Sequence, residues 1–133
     1  MLSLELAQQL RAGGLPWRPA SGDRFIVPVE DLLDRVFILS DMTADVHEFE
    51  GGALIGFNGT TEWALDSIEQ QDVVWLPRED QLRELLGDGF TRLEQVPGGY
   101  AVTVTSAAGH DRFVDTDAER AYARAVLRGL TGG

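Results

Sequence analysis

Asp45 and His47 stand two residues apart in Asp41-Met42-Thr43-Ala44-Asp45-Val46-His47-Glu48-Phe49-Glu50, a stretch that gathers carboxylates around one imidazole. In an extended strand, side chains two apart point the same way. The pair is therefore spaced to begin a mixed oxygen–nitrogen metal site, or a histidine base oriented by a carboxylate. A metal needs at least three converging ligands. Spacing supplies only Asp45 and His47, and any further carboxylate has to come from the fold. The competing arrangement is a solvated outer face with Met42, Ala44 and Val46 turned inward, and the sequence favours it.

Other segments invite chemistry and then lack a part. Gly56-Phe57-Asn58-Gly59-Thr60-Thr61 outlines a strand, a glycine turn and a helix start, an arrangement that can hold an anion on backbone N–H groups. It has neither the phosphate-loop lysine nor the dinucleotide glycine pattern, so it reads as a turn followed by a threonine cap. Trp75-Leu76-Pro77-Arg78-Glu79-Asp80 suggests an aromatic anchor or a pyrophosphohydrolase (Nudix-type) helix. That helix needs Arg-Glu-apolar-x-Glu-Glu-x-Gly, which Asp80, Leu82 and Arg83 break. Arg120, Arg124 and Arg128 stand at i,i+4 spacing, either a dock for an acidic partner or a solvent face near a helix C-terminus. No serine elbow and no His-Glu-x-x-His motif occurs.

The inventory narrows the classes further. The 133 residues include 22 acidic and 11 basic ones, a net charge of -11. Such a balance disfavours nucleic acid and anionic membranes, both of which would be repelled. Every basic residue is arginine, so Schiff-base and lysine-base chemistry are excluded. The absence of cysteine removes thiolate, disulfide and Cys-type zinc chemistry. The first residues, Met1-Leu2-Ser3-Leu4-Glu5-Leu6, lack the basic and apolar regions of a secretory signal. No apolar run is long enough to span a bilayer, and the expected location is cytoplasmic.

The elements that position these residues follow from periodicity. A helix is expected over 4–12, capped by Ser3 and stopped by Gly13-Gly14. Short strands are expected at 24–28, which Pro28 confines to an edge or an end, and at 36–40, whose apolar run suits a central strand. Residues 43–49 and 53–57 flank Glu50-Gly51-Gly52 as a hairpin. A helix from Thr60 or Thr61 runs through about Glu69, with Ala64, Leu65 and Ile68 buried. A strand at 73–76 and a helix over 78–86 follow, the latter with Leu82, Leu85 and Leu86 on one side. A second hairpin joins 90–95 and 100–105, and 112–114 adds a short strand. Thr116 and Glu119 form a capping box for the last helix. The reading is a single α+β domain over 1–133, mainly antiparallel sheet with about four helices, including N- and C-terminal ones.

Phe37-Ile38-Leu39-Ser40-Asp41-Met42-Thr43, the segment from Ile55-Gly56-Phe57-Asn58 to Asp66-Ser67, Trp75 through Arg83, and Asp117-Ala118-Glu119-Arg120-Ala121-Tyr122 together resemble a family of short actinobacterial proteins of unknown function. Some of its members have a pilus-assembly label. A pilus-assembly ATPase needs a phosphate-binding loop and a Walker-type lysine, and this chain has neither, so the resemblance implies no catalytic residue. The expected function is a non-catalytic, acidic protein-interaction or regulatory domain for a partner with a basic surface, with Trp17, Trp63 and Trp75 as candidate anchors and no cofactor. The alternative is a small metal- or ligand-dependent enzyme using Asp45 and His47.

Overall fold

Ser3 opens the first helix through its hydroxyl, which accepts the Leu6 N–H at 3.2 Å. This satisfies one orphan donor of α1 (Leu4–Ala12). Leu6, Ala7 and Leu10 are buried along one side, and Gly14, at φ 98°, takes the left-handed turn that ends the helix. The computed structural model describes residues 1–39, 44–49, 52–57, 67–69 and 72–132, with side chains described for 1–39 and 72–132. The chain divides into two compact units, one formed by Met1–Pro16 with Pro77–Gly133 and the other by Trp17–Leu76.

Trp17–Leu76 contains β1 (Arg24–Ile26), β2 (Phe37–Ile38), β3 (Ala44–Phe49), β4 (Gly52–Phe57), β5 (Ser67–Glu69) and β6 (Val74–Leu76). They form two antiparallel sheets, ordered β2-β1-β6 and β3-β4-β5. In the first sheet Phe25 lies opposite both Phe37 and Trp75. Directly opposed residues share a face, so three aromatics form one row across the strands. Phe25 is fully buried with Val27, Leu39 and Val73, and Trp17, Leu32 and Phe37 pack against them. The run at 36–40, expected at the centre, lies at an edge as β2, while β1 takes the middle. β1 ends at Ile26, before the missing N–H of Pro28 could weaken a ladder, and so it takes the middle.

The β3–β4 hairpin has the expected pairing, from Ala44 opposite Phe57 to Phe49 opposite Gly52. The helix expected from Thr60 or Thr61 is corrected at its end. Its residues up to 66 lie outside the described residues, whereas Ser67–Glu69 form a strand with Ile68 opposite Ile55. Ser67-Ile68-Glu69 fits a two-residue rhythm as well as a helical one, and pairing with β4 decides between them. Among the described residues there are thus three α-helices and not about four. The broader expectation of an α+β chain with antiparallel sheets holds.

Met1–Pro16 with Pro77–Gly133 holds α1, α2 (Glu79–Leu86), β7 (Phe90–Val96), β8 (Gly99–Ser106), β9 (Gly109–Asp115) and α3 (Ala118–Thr131). The strands form an antiparallel meander ordered β7-β8-β9, with β9 longer than the sequence suggests. Val102 lies opposite Leu93 and Phe113 and shares the face of Phe90. The Phe90 ring meets the buried Tyr122 of α3 at 5.6 Å. Ala121, Tyr122, Ala123, Ala125 and Val126 make the buried side of α3. On α2, Leu82 is buried but Leu85 is exposed, so the expected three-leucine stripe does not face inward as a whole.

The α3 cap is one residue later than the Thr116–Glu119 box. Asp117 accepts the Arg120 N–H at 3.0 Å. Glu119 instead accepts the Glu79 N–H at 3.0 Å, joining the starts of α2 and α3. The β7–β8 turn is equally specific. Gly98 sits at φ 82°, and a Cβ on Gly99 would collide with the Asp115 carbonyl oxygen. Gly99→Ala is expected to destabilise the protein by about 1–3 kcal/mol. Gly129→Ala on α3, where a Cβ meets nothing, should stabilise it by about 0.5–1 kcal/mol. Denaturant titration of the two variants checks both signs.

Candidate interaction surface

Two of the three arginines in the α3 row are engaged from within the chain. Asp115, whose side chain is only 8% exposed, ends β9 one turn before the helix. Its two oxygens accept Arg120 Nε at 2.8 Å and Arg124 Nε at 2.9 Å, and Oδ1 also accepts the Asp117 N–H at 3.1 Å. Burial alone would raise the Asp115 pKa. The bonds from Arg120, the Asp117 N–H and Arg124 outweigh it and hold the carboxyl at about 2. Arg120 also donates to Thr116 Oγ1 at 2.7 Å. These two guanidinium groups therefore brace the sheet–helix junction, which answers the docking reading for Arg120 and Arg124.

Two of the three tryptophans come together. Trp17 and Trp75 stack with ring centroids 6.1 Å apart and planes 8° from parallel, and Trp17 also meets Phe25 at 6.1 Å. Trp17 Nε1 donates to Asp23 Oδ2 at 2.9 Å, and the same oxygen accepts the Ala20 N–H. The buried Nε1 of Trp75 has no hydrogen-bond partner among the described residues. Both rings are half-buried, so the pair backs the aromatic row of β2-β1-β6 and keeps part of its surface open. Trp63 lies outside the described residues.

Residues 29–38 form an apolar surface that no sequence motif marks. Val29 (50%), Leu33 (40%), Val36 (37%) and Ile38 (62%) are four of the seven exposed large apolar side chains among the described residues. Leu32 and Phe37, between them, turn inward onto the core. Glu30, Asp31 and Asp34 are exposed in the same stretch. The arrangement is apolar side chains interleaved with carboxylates on a short helical turn (Glu30–Leu32) and the edge strand β2. Apolar exposure this concentrated marks a contact surface more often than scattered single residues do. A signal was present in the sequence. Leu32-Leu33 in a tight turn and Val36-Phe37-Ile38 in a strand cannot all face one way.

Asp45 and His47 occupy β3 opposite Gly56 and Leu54, and their side chains lie outside the described residues. Among the described residues, no group of three or more His, Cys, Asp or Glu is placed to hold a metal ion. His110 is exposed, with Nδ1 2.9 Å from Thr105 Oγ1, which in turn lies 2.7 Å from Thr91 Oγ1. This is a polar row across the open side of β7-β8-β9. No helix among the described residues is long and apolar enough to cross a membrane. No family model, no curated protein and no solved structure matches the chain.

The Asp115 junction makes an acid prediction. Its carboxyl lies below the ordinary 3.8 in the folded chain, so the native state binds fewer protons than the unfolded one. The resulting stabilisation is complete above that ordinary value and drains away as pH falls towards about 2. Asp115→Asn should cost about 2 kcal/mol at neutral pH. The difference from wild type should shrink over the same acid range when thermal melts are followed by circular dichroism.

Proposed function

We propose that this chain is a non-catalytic, acidic protein-interaction domain that works in the cytoplasm and binds a partner presenting a basic surface. The observation that supports it is the stretch 29–38, where Val29, Leu33, Val36 and Ile38 stay exposed among Glu30, Asp31 and Asp34. The apolar side chains supply area to bury. The carboxylates, backed by a net charge of -11, favour approach by cationic surfaces and reject polyanions. Trp17 and Trp75 serve this reading from behind the surface, as the rigid stack that backs β6 and β1, while the contact itself is made by the apolar residues of 29–38.

The reading is tested by retention of a binding partner from native lysate on immobilised full-length chain. The partner should be held at low salt and released as ionic strength rises. A Val29→Asp, Leu33→Asp double variant should bind about tenfold or more weakly while its melting temperature stays near wild type, since both side chains are already in water. Absence of any retained partner at every ionic strength, or retention indifferent to the double substitution, counts against the proposal.

A further inference from the structure

We infer that the open edge of β2 receives an extended polypeptide segment in which apolar residues alternate with lysine or arginine, adding a fourth strand to the β2-β1-β6 sheet. The inference rests on the protein-interaction reading and specifies its mode.

Backbone geometry points to this edge. Leu39 donates its N–H to the Asp23 carbonyl at 2.9 Å, and its own carbonyl accepts the Gly22 N–H at 2.7 Å. Both backbone groups of Leu39 thus face the β1 side. In an extended chain the groups of the preceding residue point the other way. Ile38, opposite Arg24 in the non-bonded register, therefore turns its N–H and C=O outward, and no described strand pairs with them. Of the devices that blunt such edges, Val36-Phe37-Ile38-Leu39 has neither proline nor lysine, and only the shortness of the two-residue β2 limits this one.

The side chains agree with the backbone. Arg24 lies between Ile38 and Leu76 across the sheet, so Ile38 and Leu76 share a face. Leu76, Val74 and Ile26 are buried, whereas Ile38 at 62% is the most exposed large apolar residue described. The covering of that face stops one strand short of the edge. An added strand would set an apolar side chain beside Ile38, the cross-strand contact that stabilises sheets, while its backbone engages the outward groups of Ile38.

Charge selects among occupants. Glu30, Asp31 and Asp34 precede the edge, with Arg35 the one basic residue of the stretch. A second copy of the chain, at -11, would be repelled. A segment with cationic side chains on its other face would be attracted.

The test uses the full-length, isotope-labelled chain and two short synthetic peptides of identical composition. One alternates valine and lysine; the other orders the same residues at helical spacing. The alternating peptide is expected to bind about tenfold or more tightly than the permuted one, to weaken with salt, and to protect the Ile38 amide from hydrogen exchange. Ile38→Lys should abolish that preference, whereas Leu85→Lys, at an exposed apolar position on α2, should preserve it. Equal binding of the two peptides, binding without protection at Ile38, or no binding overturns strand addition. A lysate partner that is lost on Val29→Asp, Leu33→Asp but kept on Ile38→Lys also overturns it, and leaves the broader interaction reading standing.

Discussion

One buried carboxylate organises the unit made by the two ends of the chain. Asp115 closes the last strand, and its charge persists at 8% exposure because donors converge on it: two guanidinium groups from α3, the Asp117 N–H at the helix start and, at 3.4 Å, the Thr116 hydroxyl. A buried ion without such partners is costly. The geometry that satisfies it therefore fixes how β9 passes into α3. Glu119 extends the same logic to the start of α2 through the Glu79 N–H. Polar groups here are used to set angles between elements, and that use competes with any role in binding ligands. Arg120 and Arg124 are the clearest cases.

The aromatic row plays the corresponding part in the other unit by a different force. Phe25, placed in the middle strand, touches rings on both sides, and Trp17 completes the stack over Trp75. Little of this depends on charge, so acidity can concentrate on the surface next to it. An apolar sheet edge in a chain of high negative charge is protected against its own copies by repulsion, without the proline or lysine that edges ordinarily use.

How far the sequence could be read depended on whether local signals had competitors. Ser3, the glycine turns at Gly14 and Gly98, and the alternation in Tyr100 to Thr105 had none, and α1, β7 and β8 form where those signals put them. Asp117 outcompeted Thr116 as the α3 cap because both are good caps one residue apart. Ser67-Ile68-Glu69 is too short to distinguish two periods, and its partner strand decided. The continuous run at 36–39 suggested burial on both faces, yet Ile38 faces outward at an edge. A run of apolar residues shows which residues avoid water on average and not which one the sheet leaves uncovered. Of the candidate anchors, the sequence could name Trp17 and Trp75 but not their stacking, which is a tertiary contact. The exposed apolar residues at 29–38 form no motif, and their only trace in the sequence is that Leu32-Leu33 and Val36-Phe37-Ile38 cannot all face one way.

The placement of α1 has a consequence for how the chain is made. α1 is synthesised before Trp17–Leu76 and α3 after it, yet both helices belong to one unit. Contacts between such distant segments raise contact order and slow the search for the native state. During synthesis Leu6 and Leu10 wait for α3, so the side of α1 that is buried in the folded chain stays uncovered until that helix emerges. Trp17–Leu76 is synthesised whole before α3 and can begin to order sooner.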